Sequence, residues 1–380
     1  MSRVRANRRF FRESIIIVSL GFFALGESVA ADSSVFPGSD WVGATPAQKT
    51  RWSEAGLKKA HEYSDSIHSS SVMIIQDGTV IDEWGDVDKK ISSYSVRKSL
   101  ISALYGIYAQ EGVIDPNETL AQLGIDDKPD SLTSRERQAR VVDLLRARSG
   151  IYHAVDFESK AQIAERPPRD SHAPGTFWFY NNWDFNALGT VFEMKTGRPM
   201  GETFYDRIAK PIGMQDFHAS DVYYLAGPLS VHRAYHFEIS ARDLARFGLL
   251  YLNHGRWRDQ QIVPASWIDK SSHASEMIQL RGVDAGGYEY LWWVEYGGAH
   301  FPGAKVPPGT YSARGAGGHF LVVIPARNLV VVHRFDNDPP AKDVRTVFEW
   351  GYKGIGNAEF GPLLQLILDA EHGVNTGGKH

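Results

Sequence analysis

Three short stretches of this chain carry side chains that could do covalent chemistry on a carbonyl. The first is Ser95-Val96-Arg97-Lys98. A serine hydroxyl is a weak nucleophile until a base takes its proton. The spacing of three puts Ser95 and Lys98 on one face of a helix, one turn apart. Burial or nearby positive charge lowers a lysine pKa enough to make it that base, and a helix N-terminus stabilises negative charge near Ser95. The second is Tyr180-Asn181-Asn182, after Pro174-Gly175-Thr176. A tyrosine near a lysine loses its proton more easily and can relay it to a leaving group. The Asn182 amide can orient the lysine or a substrate carbonyl. The third is Arg314-Gly315-Ala316-Gly317-Gly318-His319, just before an apolar run. Glycines there let a ligand approach the backbone, and an unobstructed N–H could form one arm of an oxyanion hole.

Each stretch also has a plain structural reading. Ser95 and Lys98 could be a helix cap and a surface amine. Tyr180 could be a loop residue packed on Trp178 or Trp183. The glycines could form a simple turn or bulge. Other chemistries lack a pattern. His232 and His236 are four apart, but no third ligand is evident, and the segment Gly227–Phe237 does not read as a helix. There is no Gly-x-Ser-x-Gly elbow and no dinucleotide or phosphate-loop glycine pattern.

The elements that must position these residues follow from periodicity. Residues 46–68 read as an amphipathic helix with Trp52, Leu57, Ala60 and Ile67 on its apolar face. Ser71–Gln76 and Thr79–Trp84 flank Asp77-Gly78, a strong hairpin signal. Residues 95–111 read as a helix ending at Gly112, and Asp115-Pro116 blocks its continuation. A mostly helical stretch follows to about residue 270, including Val141–Arg148, Asn186–Lys195 and Ser240–Leu252. Strands return at Tyr288–Glu295, Phe320–Ile324 and Leu329–Arg334, with Pro325–Asn328 as a turn. A helical tail over Ala341–Tyr352 and Gly361–Glu371 closes the chain. The expected fold is α+β. An antiparallel sheet is built from early and late segments (32–94 and 275–380) and flanked by the terminal helices, with a mostly helical domain (95–274) inserted.

Composition narrows the setting. The 380 residues include 36 Gly, 18 Pro and no Cys, which excludes disulfides, thiolate metal sites and a cysteine nucleophile. A formal charge of -4 leaves no nucleic-acid footprint. Arg3, Arg5, Arg8, Arg9 and Arg12 precede an apolar run from Ile15 to Leu25, and small residues follow around Ala30-Ala31. Residues 1–31 read as a secretory signal whose run is too short for a membrane span. Arg8-Arg9-Phe10-Phe11 also resembles a twin-arginine signal. Removal of those residues would take five Arg and two Glu and leave a formal charge of −7. The expectation is a periplasmic or secreted protein with no stable membrane anchor after cleavage.

In their order, the three motifs make the chain resemble the serine β-lactamase and penicillin-binding-protein superfamily. It looks most like the class C β-lactamase-related branch, with its esterases, D-aminopeptidases and 6-aminohexanoate-dimer hydrolases. Leu144–Gly150, Ala241–Gly248 and Gly317–Phe320 before Ile324-Pro325 support the likeness, which covers about residues 65–340. The resemblance implies that Ser95 is acylated, Lys98 activates it, Tyr180 is the partner acid/base and Asn182 the second residue of that motif. Ala316-Gly317-Gly318 would occupy the place of the family's Lys-Thr-Gly triplet, so the N–H groups of Ser95 and His319 would form the oxyanion hole. Gly317, Gly318, His319 and Arg314 are thereby oxyanion or substrate-binding candidates. The family's basic residue is replaced by Ala316, which argues against β-lactams and for an ester or amide small-molecule substrate. Trp178, Trp183, Trp292, Trp293 and Tyr288 are candidates for an apolar pocket, with core packing the alternative. No metal or organic cofactor is implied. The competing readings are a β-lactamase, a D-aminopeptidase or a penicillin-binding sensor that acylates without turnover.

Overall fold

The apolar runs of this chain are too continuous for strands with one wet face, and the fold buries them on both faces. The structure is a computed structural model that describes Met1, residues 35–337 and residues 354–372. The chain runs through helix α1 (Glu54–Ser66), strands β1 (Ser71–Gln76), β2 (Thr79–Gly85) and β3 (Ile91–Ser92), and helix α2 (Val96–Gln110). Helix α3 (Asn182–Thr196), strands β4 (Val222–Leu225) and β5 (Ala234–Ile239), and helix α4 (Ala241–Leu252) follow. Strands β6 (Gly287–Glu289), β7 (Trp292–Val294), β8 (Tyr311–Gly315), β9 (His319–Ile324) and β10 (Leu329–Arg334) precede helix α5 (Asn357–Ala370).

Seven strands form one sheet in the order β6-β7-β8-β9-β10-β1-β2, and each neighbouring pair is antiparallel. Early and late segments therefore share one sheet through β1 and β10. Period-two alternation divides its side chains between two cores. Val72, Ile74, Phe320, Val322, Ile324 and Val331 face α5, with Phe360, Leu363, Leu364 and Ile367, and α1, with Ala60. Met73, Ile75, Leu321, Val323, Val330 and Val332 face the larger core that holds α2, α3 and α4. On that side α4 lies against the sheet at Gly248, where a Cβ would sit 2.6 Å from Val330 Cγ1. At the other end of the core, Gly106 of α2 packs directly on the Trp267 ring.

Most elements fall where periodicity put them, and the differences have physical reasons. The first hairpin turns at Asp77-Gly78, with φ of 52° and 79°. The helix expected over 46–68 is two helices, Pro46–Lys49 and α1. Ser53 caps α1, and Trp52 leaves the helical path to bury its ring and donate Nε1–H to Gln76 Oε1 at 2.9 Å. The single strand expected over Tyr288–Glu295 is the hairpin β6-β7. Tyr290 and Leu291 form its turn with φ of 44° and 70°. That costly backbone is held by α2, whose Ser99 and Ser102 hydroxyls donate to the carbonyls of Leu291 (2.7 Å) and Tyr290 (2.6 Å). The helix expected at Asn186 starts at Asn182, and the one expected over Val141–Arg148 ends at Leu145. Strands β4 and β5 were not expected in the helical stretch; with β3 they form a sheet of order β3-β5-β4. The expected signal (residues 1–31) and the expected helix Ala341–Tyr352 lie outside the described residues, Met1 aside. No helix among the described residues is long and apolar enough to cross a membrane.

Candidate active site

Helix α2 begins at Ser95, which occupies the cap position with φ −76° and ψ −9°. Its hydroxyl makes no capping bond to the helix, so it is free for other work. It lies 2.7 Å from Lys98 Nζ, one turn on. The plain reading of a surface amine fails, because Lys98 is 1% exposed. Thirteen of the fifteen α2 residues are buried, so the helix takes its lysine into the core with it. Burial, then the charge of Arg97, holds the Lys98 pKa well below the usual amine value. A neutral amine beside a hydroxyl can accept its proton.

Tyr180 packs around that amine. Lys98 Nζ sits 5.0 Å from the centre of the Tyr180 ring and 4.7 Å from that of Phe185. The Tyr180 ring also stacks on Trp293 at 5.5 Å and meets Phe185 at 4.9 Å. Burial pushes the phenol up to about 12, although interaction with the Ser95 hydroxyl and the charge of Arg97 oppose the rise. The two groups are thus driven apart: the amine towards its neutral base form, the phenol towards its protonated acid form.

The two asparagines after Tyr180 divide their roles. Asn181 caps α3, accepting from the Trp183 N–H at 3.2 Å and donating to Asp184 Oδ1 at 2.9 Å. Asn182, the first residue of α3, lines the cavity beside Ser95, and its Oδ1 has no partner among the described residues.

That cavity holds about 590 Å³ and brings all three motifs together. Ser95, Lys98, Tyr180 and Asn182 line it, with Arg314, Gly315, Ala316 and Gly317. Gly318 and His319 do not. Arg314 and Gly315 end β8, Ala316–Gly318 form a turn, and His319 opens β9 in register with Gly315. A Cβ at Gly315 would lie 2.6 Å from the Ser93 carbonyl oxygen, so only glycine lets β8 approach the turn that carries Ser95. The His319 ring is fully buried. It stacks on Tyr94 at 5.0 Å, and its Nδ1 accepts from Arg334 Nε at 3.0 Å.

Arg314 forms part of the cavity wall. Its Nε donates to Ser312 Oγ at 2.9 Å, and an Nη donates to the His300 carbonyl at 2.8 Å. The guanidinium lies over the rings of Phe301 and Trp293, and burial lowers its pKa to about 9. Of the five aromatic candidates, Trp178 and Trp293 line the cavity. Trp183 and Trp292 are core, the first donating to Asp127 Oδ2 at 2.7 Å and the second packed 4.5 Å from Tyr251. Tyr288 is buried behind Trp178 and Tyr180.

Sequence reasoning passed over Arg97, Asn186 and His236, which also line the cavity. Asn186 was findable, because it lies one helical turn beyond Asn182. His236 had been weighed only as half of a metal pair. It lies instead on β5, whose existence the sequence did not signal.

A family model described as beta-lactamase matches residues 57–349, most of the chain. The chain belongs to the beta-lactamase family. Solved structures of the same fold include a family VIII carboxylesterase at 16% identity, covering 87% of this chain and 99% of that one with a TM-score of 0.60. A penicillin-binding-protein homologue from Caulobacter crescentus is similar at 13% identity, 86% and 98% coverage and a TM-score of 0.61. A Bacillus anthracis protein assigned as a 6-aminohexanoate-dimer hydrolase is similar at 20% identity, 82% and 85% coverage and a TM-score of 0.58. Among curated proteins, one from Escherichia coli O157:H7 assigned as a D-alanyl-D-alanine carboxypeptidase is 21% identical over 171 residues, 41% of this chain and 37% of that protein's length. This beta-lactamase-family chain thus has the α+β fold of a hydrolase family whose members are serine hydrolases.

Proposed function

We propose that the protein is an exported serine hydrolase that opens an ester or amide bond through an acyl-enzyme on Ser95. The observation that carries this reading is the buried Lys98 amine 2.7 Å from Ser95 Oγ, with no carboxylate within 4 Å among the described residues to hold its proton. Ser95 Oγ bonds to the substrate carbonyl carbon as its proton passes to Lys98. The carbonyl oxygen takes the negative charge, and the Ser95 N–H at the start of α2 is one donor to it. The second donor comes from the turn between β8 and β9, where Arg314–Gly317 line the cavity and His319 does not. Tyr180 then protonates the departing oxygen or nitrogen and recovers a proton from Lys98. Water enters by the same route and releases the acid, restoring Ser95. Asn182 orients the lysine or the substrate.

The loss of the family's basic residue favours esters or linear amides over β-lactams, and the aromatic wall of Trp178, Tyr180 and Trp293 suits an apolar portion of the substrate. Export to the periplasm or medium rests on residues 1–31. The test is hydrolysis of 4-nitrophenyl esters, linear amide oligomers, D-amino-acid peptides and nitrocefin, with intact-mass detection of an adduct on Ser95. Full activity in Ser95→Ala would refute the mechanism. Rapid nitrocefin turnover would refute the substrate assignment, and a burst of acylation without turnover would indicate the sensor reading.

A further inference from the structure

Four basic side chains line the catalytic cavity: Arg97, Lys98, Arg314 and Arg281, the last 3.4 Å from Glu165. The proposed chemistry uses Lys98, and Arg314 is fixed by Ser312 and His300. Arg97 has no such explanation. It is 6% exposed, and no carboxylate lies within 4 Å of it among the described residues. Its Nε donates to the Tyr235 carbonyl, and its guanidinium sits 4.8 Å over the Tyr235 ring. Neither Nη group has a hydrogen-bond partner among the described residues. A buried guanidinium that stays charged is normally paired, because leaving it alone costs several kcal/mol.

Two more buried polar groups that line the same cavity are equally idle. His236, on β5, and Asn186, on α3, are each 2% exposed and line the cavity. Both ring nitrogens of His236 lack partners among the described residues, and so do the oxygen and the nitrogen of the Asn186 amide. Burial and then the charges of Arg97 and Lys98 hold the His236 pKa well below its ordinary value, so its imidazole is neutral and carries one N–H. The carboxylates that line the cavity are engaged elsewhere. Asp156 accepts from the Leu229 N–H at 3.0 Å, and Glu165 lies 3.4 Å from Arg281. The cavity therefore holds an unpaired guanidinium and two unused hydrogen-bonding groups, whose N–H donors an anionic oxygen pair would satisfy.

We propose that Arg97, His236 and Asn186 form a subsite for a carboxylate carried by the substrate. This rests on the hydrolytic reading of the cavity, and it names the substrate class. The carboxylate would accept from the Arg97 Nη groups, from the one N–H of neutral His236 and from the Asn186 Nδ2–H. It can belong to the acyl portion or to the leaving group, and the substrates below separate the two.

The experiment compares two pairs of esters. 4-Nitrophenyl hydrogen adipate against 4-nitrophenyl hexanoate places the charge on the acyl chain; 4-hexanoyloxybenzoate against phenyl hexanoate places it on the leaving group. One pair is expected to favour the anion by about 10- to 100-fold in kcat/KM, the range for a charge-assisted contact. Arg97→Met is expected to bring that ratio close to one. Equal rates within both pairs would overturn the proposal, as would a preference lost in Arg314→Met but kept in Arg97→Met. If Arg97→Met does not fold, Asn186→Leu is expected to lower the ratio several-fold, and an unchanged ratio there counts against the subsite. If no ester is turned over and Ser95 takes no adduct, the hydrolytic reading fails by itself. Calorimetry with adipate then decides the subsite: binding to the wild-type chain that His236→Phe abolishes supports it, and no binding overturns it.

Discussion

Lys98→Met tests the central electrostatic claim without any substrate. Lys98 is buried and its pKa is held well below the amine value, by burial first and by Arg97 second. In the unfolded chain the same amine titrates near about 10.4. Between those two pKa values the unfolded state binds a proton that the folded state lacks. Stability must therefore rise with pH in that window, by about 1.4 kcal/mol per pH unit for this one group. Methionine fills similar space and does not titrate. The 2.7 Å contact that it forfeits, between Lys98 and Ser95, contributes only about 1 kcal/mol. Lys98→Met is therefore expected to be more stable than the wild type at the low end of the window, by an amount that shrinks with pH. Across two pH units inside the window the difference changes by about 2.7 kcal/mol. Urea unfolding of both proteins at one-unit steps from pH 6.5 to 9.5 measures it, and other titrating groups cancel in the difference. The pH at which the slope sets in should match the acid limb of kcat/KM. A difference independent of pH would mean that Lys98 keeps its proton in the fold and cannot be the base, and the mechanism would fall with it.

Three further outcomes are expected. Tyr180→Phe should slow amide cleavage by about 10²-fold or more and 4-nitrophenyl ester cleavage far less, because nitrophenolate leaves without a proton; parallel losses in steady-state assays would argue against Tyr180 as the acid. Gly315→Ala should cut kcat/KM by about 10- to 100-fold, because its Cβ meets the Ser93 carbonyl at 2.6 Å and must push β8 away from the turn carrying Ser95; wild-type kinetics in that variant would refute the close approach. At His153, burial disfavours the charge, but hydrogen bonds to Asp127 and Glu136 and the charge of Glu136 outweigh it and raise the pKa to about 9. That stabilisation is full below the ordinary histidine pKa and is lost as pH rises through about 9. In His153→Gln, thermal unfolding between pH 6 and 10 should lose this dependence; an identical pH profile would contradict the buried ion pairing.

Much of the framework was legible because local rules coincide with the global fold. The Asp77-Gly78 turn, the Gly-terminated helix after Ser95 and the apolar runs of β9 and β10 each have one favourable local state. The misreadings share a cause as well. Trp52 interrupts a helical pattern because the end of β1 offers its indole N–H an acceptor at Gln76. Tyr290 and Leu291 take backbone conformations that their own types disfavour, because serines from α2 hold their carbonyls. Strands β4 and β5 sit in a stretch with little period-two signal, and pairing with each other and with β3 makes them strands. In each case a partner distant in the chain outweighed a local preference.

At the site, the sequence by itself determined which side chains could react and in what order they come: Ser95 and Lys98 by helical spacing, Tyr180 and Asn182 by their motif, and a glycine-rich turn before a strand. It also supplied the absence of cysteine, which excludes a thiol nucleophile. Protonation and register were decided by the tertiary structure. A lysine three residues after a serine is an ordinary exposed cation until packing on all sides removes its water, and only then can it serve as a base. Four successive residues of the glycine stretch look equally open in sequence. The approach of β8 to Ser93 selects Arg314–Gly317 for the cavity and sends His319 into the core. Arg97, Asn186 and His236 come from three elements far apart in the chain, and only the fold brings them to one cavity. Desolvation and proximity are properties of the packed chain, so no local pattern could have revealed them.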